Sequence, residues 1–358
     1  MKIGVLTYHN GPNYGGFMQA WHMVHAIRGL GFECHAVNYL HAVHQDSNKI
    51  EIPLKNLASL RTKIYWGLKK RGFRGLYDSL SKHPFTTNPD EVPWADFDCL
   101  VVGSDIVWDY EQPAFGHDPA YFGMLPQITG IPIMAYAASC GPADPEPPFP
   151  AYVSDGLRRF SAIGVRDRMT ARLVENASGR TSEWVVDPTW LGPDPETGWN
   201  KAPREKYLFV YGHGVDQKLG DLLVDFCRRK GWKLVSALSP CPGADHRYHC
   251  LTPFQWTCLF KNAEATMILG TLHGTLFSIK YEKPFLLINS PAIEPKVRRI
   301  LERVGQINRL FEPGTITSED LQQLEVAGDQ RPAIPGDWQH ESLGFLEGSL
   351  QKVASELP

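Results

Sequence analysis

Short apolar runs recur along the chain, separated by stretches of helical periodicity or by turn residues. In the first half these are Ile3 to Tyr8, Cys34 to Tyr39, Cys99 to Val102, Ile131 to Ala137, Ala162 to Val165 and Trp184 to Val186. They are apolar at consecutive rather than alternate positions, which predicts strands buried on both faces, as in a parallel sheet covered by helices. Gly16 to Leu30 and Arg168 to Glu175 read as helices, so the chain opens with a β-α-β unit. Leu191 to Pro203, rich in Pro, Gly and charge, breaks the rhythm and reads as a linker.

A second α/β series follows. Its strands are Tyr207 to Tyr211, Trp232 to Ala237, Ala265 to Leu269 and Pro284 to Asn289, with helices at Asp221 to Lys230 and near Lys296 to Val304. The pattern divides the chain into a domain over 1–192, a second over 203–320 and a tail over 321–358. Helical periodicity in Glu341 to Glu356 suits a tail that packs back on the first domain.

A chain of 358 residues, 43% hydrophobic and 21% charged, is long enough for two such domains. A net charge of −3 argues against nucleic-acid binding through overall charge. The first strand follows Met1 directly, without the pattern of a signal peptide, and no apolar run is long enough to span a bilayer, so a cytoplasmic location is expected. Seven cysteines without a C-x-x-C pair suggest reduced thiols. Cys241, His246, His249 and Cys250 match no common zinc spacing, and no metal is expected.

One segment departs from this neutral picture. Ala58 to Lys82 interleaves Arg61, Lys63, Lys69, Lys70, Arg71 and Arg74 with Tyr65, Trp66 and Phe73. It reads either as a cover helix or as a surface for peripheral contact with the inner face of the membrane.

The sharpest chemical signal is Gly270-Thr271-Leu272-His273-Gly274, at the junction of a buried strand and a short helix. Free backbone N–H groups and the positive dipole end there suit an anion beside His273, although a buried capping histidine fits the same pattern. After the first strand, Asn13, Tyr14, Gly15 and Gly16 form a loop that a ligand could approach closely, or a plain tight turn. Neither a G-x-G-x-x-G nor a P-loop sequence occurs. Ser104 and Asp105 with Trp108, and Ser139 after another strand, are candidate sugar contacts or local caps. Arg166 leaves a strand end as a fork suited to carboxylate or phosphate. Lys296, Arg298 and Arg299 open a later helix, where exposed helix charge is the competing reading.

In their order, these segments resemble the polysaccharide pyruvyl transferase family over most of the chain. The resemblance rests on Gly4-Val5-Leu6-Thr7-Tyr8 with Asn13-Tyr14-Gly15-Gly16 and Gln19-Ala20, on Val102-Gly103-Ser104-Asp105 with Trp108, and on Tyr136-Ala137-Ala138-Ser139 with Gly141. Val165-Arg166-Asp167, Val186-Asp187-Pro188-Thr189, His273-Gly274 to Phe277-Ser278, Lys283-Pro284-Phe285 and Arg309 complete it. It implies two Rossmann-like α/β domains facing across a cleft in a GT-B-like arrangement, acceptor side first and donor side second. Phosphoenolpyruvate would be the donor and co-substrate, with no resident cofactor. A free, lipid-linked or nucleotide-linked sugar would be the acceptor, and the product a cyclic pyruvate ketal.

By the same resemblance His273 is the catalytic acid or base. Arg166, Lys296, Arg298 and Gly274 fall on the donor, and Asn13, Tyr14, Gly15, Ser104, Asp105, Trp108 and Ser139 on the acceptor. Many relatives carry arginine or serine two positions before this histidine, where this chain has Thr271. Phosphate must then meet another cation, such as Arg298, or backbone N–H groups. The competing functions are a GT-B-like glycosyltransferase with a nucleotide-sugar donor and a non-catalytic glycan-binding protein.

Overall fold

A computed structural model describes residues 1–47, 64, 67–73, 75–199, 201–238, 240–291, 293–325 and 331–357. The apolar runs of the first half become β1 (Lys2–Leu6), β2 (Glu33–Ala36), β3 (Cys99–Val102), β4 (Ile133–Ala138), β5 (Ile163–Val165) and β6 (Glu183–Trp184). They pair in parallel in the order β2-β1-β3-β4-β5-β6. Every residue of β3 and β4 is buried, the reason both run as unbroken apolar sequence. β1 ends at Leu6, sooner than its apolar run, where its partner β3 also ends at Val102, and just beyond it the Thr7 hydroxyl donates to the Ser104 carbonyl at 2.8 Å.

The helices of this unit are α1 (Tyr14–Gly29), α2 (Ala42–Ser47), α3 (Leu76–Leu80), α4 (Ala151–Arg159) and α5 (Arg168–Ser178). Asn13 caps α1 by accepting from the Gly16 N–H at 3.2 Å, and Asp167 caps α5 by accepting from the Thr170 N–H at 2.8 Å. Gly179, in the left-handed region, ends α5. Trp108, Tyr121, Phe122 and Phe160 anchor the core, each contributing about 1.5–3 kcal/mol by burial.

The second half forms β7 (Tyr207–Gly212), α6 (Gln217–Lys230), β8 (Lys233–Leu238), β9 (His246–Tyr248), α7 (Pro253–Asn262) and β10 (Ala265–Leu269). Then come α8 (Leu272–Lys280), β11 (Phe285–Ile288), α9 (Glu294–Arg303) and β12 (Leu310–Phe311). The strands are parallel in the order β12-β11-β10-β7-β8-β9. Counted from its own first strand, this sheet has the 3-2-1-4-5-6 order of a Rossmann fold. The fold class is therefore that expected from the sequence, two Rossmann-like α/β domains.

By internal contacts, unit 1 comprises the described residues of 1–62, 73–193 and 336–358, and unit 2 those of 63–72 and 194–335. The last helix, α10 (Gly336–Glu356), belongs to unit 1. Its Ser342 hydroxyl accepts from the Val186 N–H at 2.9 Å, and the Trp338 indole donates to the Trp184 carbonyl at 3.2 Å. Asp194 belongs to unit 2, where it pairs with Lys280 at 2.9 Å and accepts from the Tyr281 hydroxyl at 2.5 Å.

Of the basic segment read as a cover helix or membrane surface, residues 58–63, 65, 66 and 74 lie outside the described residues. Within it Lys69 and Phe73 are buried, while Lys70 and Arg71 are exposed. Among the described residues no helix is long and apolar enough to cross a membrane.

Candidate active site

In a parallel sheet, ligands bind beyond the carboxyl ends of the strands where the strand order reverses. Unit 1 reverses between β1 and β3, and unit 2 between β7 and β10. Both places are built from segments that the sequence singled out.

At the reversal in unit 1, Gln19 of α1 ties the two strand ends together. Its side-chain amide donates to the Thr7 hydroxyl at 2.9 Å and to the Gly16 carbonyl at 2.9 Å, while its oxygen accepts from the Ser104 hydroxyl at 2.6 Å. Gly103, at φ +106, is needed for this closeness, since a Cβ there would lie 2.4 Å from the Tyr136 carbonyl oxygen. Asp105 follows in the left-handed region at φ 76, its carboxylate accepting from the Ile106 N–H at 2.8 Å.

Beside this brace lies a cavity of about 210 Å³. Tyr8, His44 and Phe115 give it an aromatic wall, with Tyr8 and His44 edge to face at 4.4 Å and His44 and Phe115 at 4.7 Å. Asn10, Asn13 and Asp105 supply polar groups, and Gly11, Leu40 and Ile106 complete the lining. An apolar ring face beside amides and a carboxylate is the surface that a sugar's C–H face and hydroxyls match. Burial lowers His44 to about 4, against the opposing pull of Asp105, so its imidazole is neutral at pH 7. His9, under the same strand end, is likewise lowered to about 4 by burial, against hydrogen bonds to the Thr7 carbonyl and Asn38.

Arg166 stands nearby, its side chain 6% exposed. One terminal nitrogen donates to Asp187 at 3.0 Å and the other to Asp105 at 3.4 Å. Burial disfavours its charge, but Asp105, Asp187 and Asp167 outweigh burial and raise its pKa.

At the reversal in unit 2, His273 occupies the second position of α8, and Thr271 is the cap residue without a side-chain cap bond. Gly274 lets the helix end press on the sheet. A Cβ there would lie 2.4 Å from Thr271 Oγ1 and 3.0 Å from both Ile268 Cγ2 and Tyr211 Cδ1. Ser278 fixes the same turn by donating to the Gly274 carbonyl at 2.8 Å and meeting the Thr266 hydroxyl at 2.7 Å.

The candidate residues thus separate by environment. Asn13 and Asp105 line the cavity of unit 1. Tyr14 and Gly15 are buried, with Tyr14 stacked on Phe73 at 5.3 Å. Ser104, Trp108 and Ser139 are fully buried, and their polar groups serve Gln19, the Tyr121 carbonyl at 2.8 Å and Asp167 at 2.6 Å. They stand behind the site and shape it. His273 and Gly274 share the first turn of α8. Lys296 and Arg298 lie on α9, where Arg298 is about half exposed and bound to Glu294 at 2.7 Å. Arg309 is an internal brace, donating to the Phe285 and Gln323 carbonyls at 3.1 and 2.9 Å.

Tyr8, Asn10, His44 and Phe115 were not among the site residues expected from the sequence, nor was His213 directly after β7. Tyr8 and Asn10 were legible, because they follow the first strand as His273 follows a later one. His44 and Phe115 reach the cavity only through tertiary packing.

A family model described as polysaccharide pyruvyl transferase matches residues 13–291. Comparison with curated protein sequences finds no match. Among solved structures, the UDP-GlcNAc 2-epimerase of Methanocaldococcus jannaschii is similar with a TM-score of 0.51 at 9% identity, covering 97% of this chain and 99% of that one. The glycosyltransferase SnogD of Streptomyces nogalater gives a TM-score of 0.48 at 13% identity, covering 99% of each chain. At 9% identity the likeness to the epimerase is one of fold.

Proposed function

The chain belongs to the polysaccharide pyruvyl transferase family, and from that premise we propose that it moves the pyruvyl group of phosphoenolpyruvate onto two hydroxyls of one glycan sugar, forming a cyclic ketal. The observation that carries this reading is the position of His273, on the first turn of α8 beside the strand reversal of unit 2. We assign the donor to unit 2 and the sugar to the aromatic and amide-lined cavity of unit 1.

The reaction needs a proton at C3 of the donor. Protonation of that methylene carbon by the His273 imidazolium makes C2 electrophilic, and one sugar hydroxyl adds to C2. Cleavage of the C2–O bond releases phosphate, and the second hydroxyl closes the ring. Of the two hydroxyl protons, one restores His273 and the other leaves with phosphate, so the product gains pyruvic acid less water. Histidine suits the task because its ordinary pKa of about 6.5 permits both states near neutrality. The amino end of α8 disfavours the imidazolium and a bound trianion favours it, so donor binding loads His273 with its proton.

In unit 1, Asp105 and Asn13 accept from and donate to sugar hydroxyls, while Tyr8 and Phe115 cover the ring. Arg166 orients Asp105 through their ion pair. Thermal unfolding with phosphoenolpyruvate, inorganic phosphate and a set of nucleoside diphosphates tests the donor. Stabilisation specific to phosphoenolpyruvate supports the reading, and stabilisation by a nucleoside diphosphate alone contradicts it.

A further inference from the structure

The helical residues 67–72 come from the first half of the chain yet pack within unit 2. A Cβ on Gly72 would lie 2.8 Å from the Leu251 carbonyl oxygen, so this helix is pressed against the turn that begins α7. Lys69 is one helical turn before Gly72, on the same side, and only 4% exposed.

His213 approaches the same place from the sheet. It follows Gly212, which pairs with Leu269 at the ends of β7 and β10, so His213 stands beside Gly270, where the chain turns into α8. Tyr211, two positions earlier on the strand, packs on Trp256 of α7 at 5.2 Å and borders Gly274 of α8. The helix of Lys69, the start of α7 and the first turn of α8 therefore border one strand reversal. Burial lowers His213, and the positive charge of Lys69 lowers it further. Burial also brings Lys69 down to about 8. An anion between them favours the charged form of both, and in a desolvated place its attraction is far stronger than in water.

We propose that Lys69 and His213 form an anion site at the β7/β10 reversal that holds the phosphate of phosphoenolpyruvate, supplying the positive charge absent from Thr271. The ligand assignment rests on the pyruvyl-transfer reading. Arg298, the other cation considered for this task, is bound to Glu294 on an exposed helix face. A residue from the first half of the chain thereby completes a site in the second.

Calorimetric titration of the full chain with phosphoenolpyruvate and with inorganic phosphate tests the site, using K69M, K69R and H213Q. The site predicts that K69M weakens both ligands about tenfold or more, the loss expected for a charge-assisted hydrogen bond. K69R should restore part of that loss, H213Q should weaken both ligands to a smaller degree, and the unliganded melting temperature of K69M should stay at or above the native one. If K69M fails to fold, H213Q and K69R carry the test by the same readout. Phosphoenolpyruvate binding indifferent to both K69M and H213Q overturns the site while leaving pyruvyl transfer intact. Lys69-dependent phosphate binding that phosphoenolpyruvate does not displace upholds the anion site and contradicts the donor reading. Absence of binding by either anion overturns the site.

Discussion

Arg166 and Asp187 are joined at 3.0 Å inside unit 1, with 6% and 3% of their side chains exposed. Asp105 takes the second terminal nitrogen of the same guanidinium at 3.4 Å and also lines the sugar-sized cavity. A residue whose sequence context suggests an anion clamp is thus surrounded by carboxylates, and under the proposed function it acts on the sugar through Asp105. Removing the cation leaves buried carboxylates uncompensated. Arg166→Met should cost roughly 3–5 kcal/mol of stability, as breaking a buried ion pair does, measurable by urea unfolding. Arg166→Lys should recover only part of it, because one ammonium cannot serve both carboxylates in the geometry of a fork.

Acid stability should carry the signature of His9. It is 1% exposed and lowered to about 4 by burial, against an ordinary value of 6.5. Above pH 6.5 the ring is neutral in both folded and unfolded chains and costs nothing. As pH falls from 6.5 towards 4 the unfolded chain takes up a proton that the folded one refuses, so stability falls through that window and levels off below it. The loss is of order 3 kcal/mol for this group at its limit. His9→Gln should flatten the stability–pH curve between pH 4 and 6.5 relative to the native protein, and a curve of unchanged slope would contradict the assignment.

Gly274→Ala tests how tightly α8 is seated. Helix propensity would gain about 1 kcal/mol from the change. Yet the new methyl would meet Thr271 Oγ1 at 2.4 Å, with Ile268 and Tyr211 at 3.0 Å. Overpacking of this kind costs about 1–3 kcal/mol, so the net change should be destabilising by thermal unfolding. Transfer activity should fall further than stability does, because the displaced turn carries His273.

The Lys280–Asp194 pair makes a parallel prediction for unit 2. Both side chains are nearly enclosed, at 9% and 6% exposure, and the Tyr281 hydroxyl donates to the same carboxylate oxygen. Asp194→Ala alone should destabilise by about 3–5 kcal/mol, whereas the double change Asp194→Ala with Lys280→Met should recover a large part of the loss. A double-variant loss equal to the sum of the Asp194→Ala and Lys280→Met losses measured singly would show that the pair is not coupled.

The sheets were legible because their strands are buried on both faces and therefore read as unbroken apolar runs, as Cys99–Val102 and Ala265–Leu269 do. The edge strands His246–Tyr248 and Leu310–Phe311 were not, being short and half exposed. Helix α7 was missed although its signal was present. Thr252 and Gln255 form a capping box with Pro253 at the first helical position. Of the candidate site, the residues directly after strands were visible, since sequence alone places them at the sheet's carboxyl edge. Whether such a residue faces a ligand or the interior was not visible. Ser104 and Ser139 follow strand ends, and the hydrogen bonds that turn them and Trp108 inward join them to Gln19, Asp167 and Tyr121, respectively, which lie elsewhere in the sequence.

The most direct test of pyruvyl transfer by His273 is mass spectrometry of the sugar product formed from phosphoenolpyruvate in deuterium oxide. Native protein and His273→Gln are compared on free, nucleotide-linked and lipid-linked sugars. The account predicts release of phosphate and a sugar heavier by pyruvic acid less water, with one deuterium in its new methyl group. His273→Gln should form this product about 100- to 10,000-fold more slowly, the range for loss of a general acid, while folding as the native protein does. Unchanged turnover in His273→Gln, or consumption of a nucleotide sugar with phosphoenolpyruvate left intact, would contradict it.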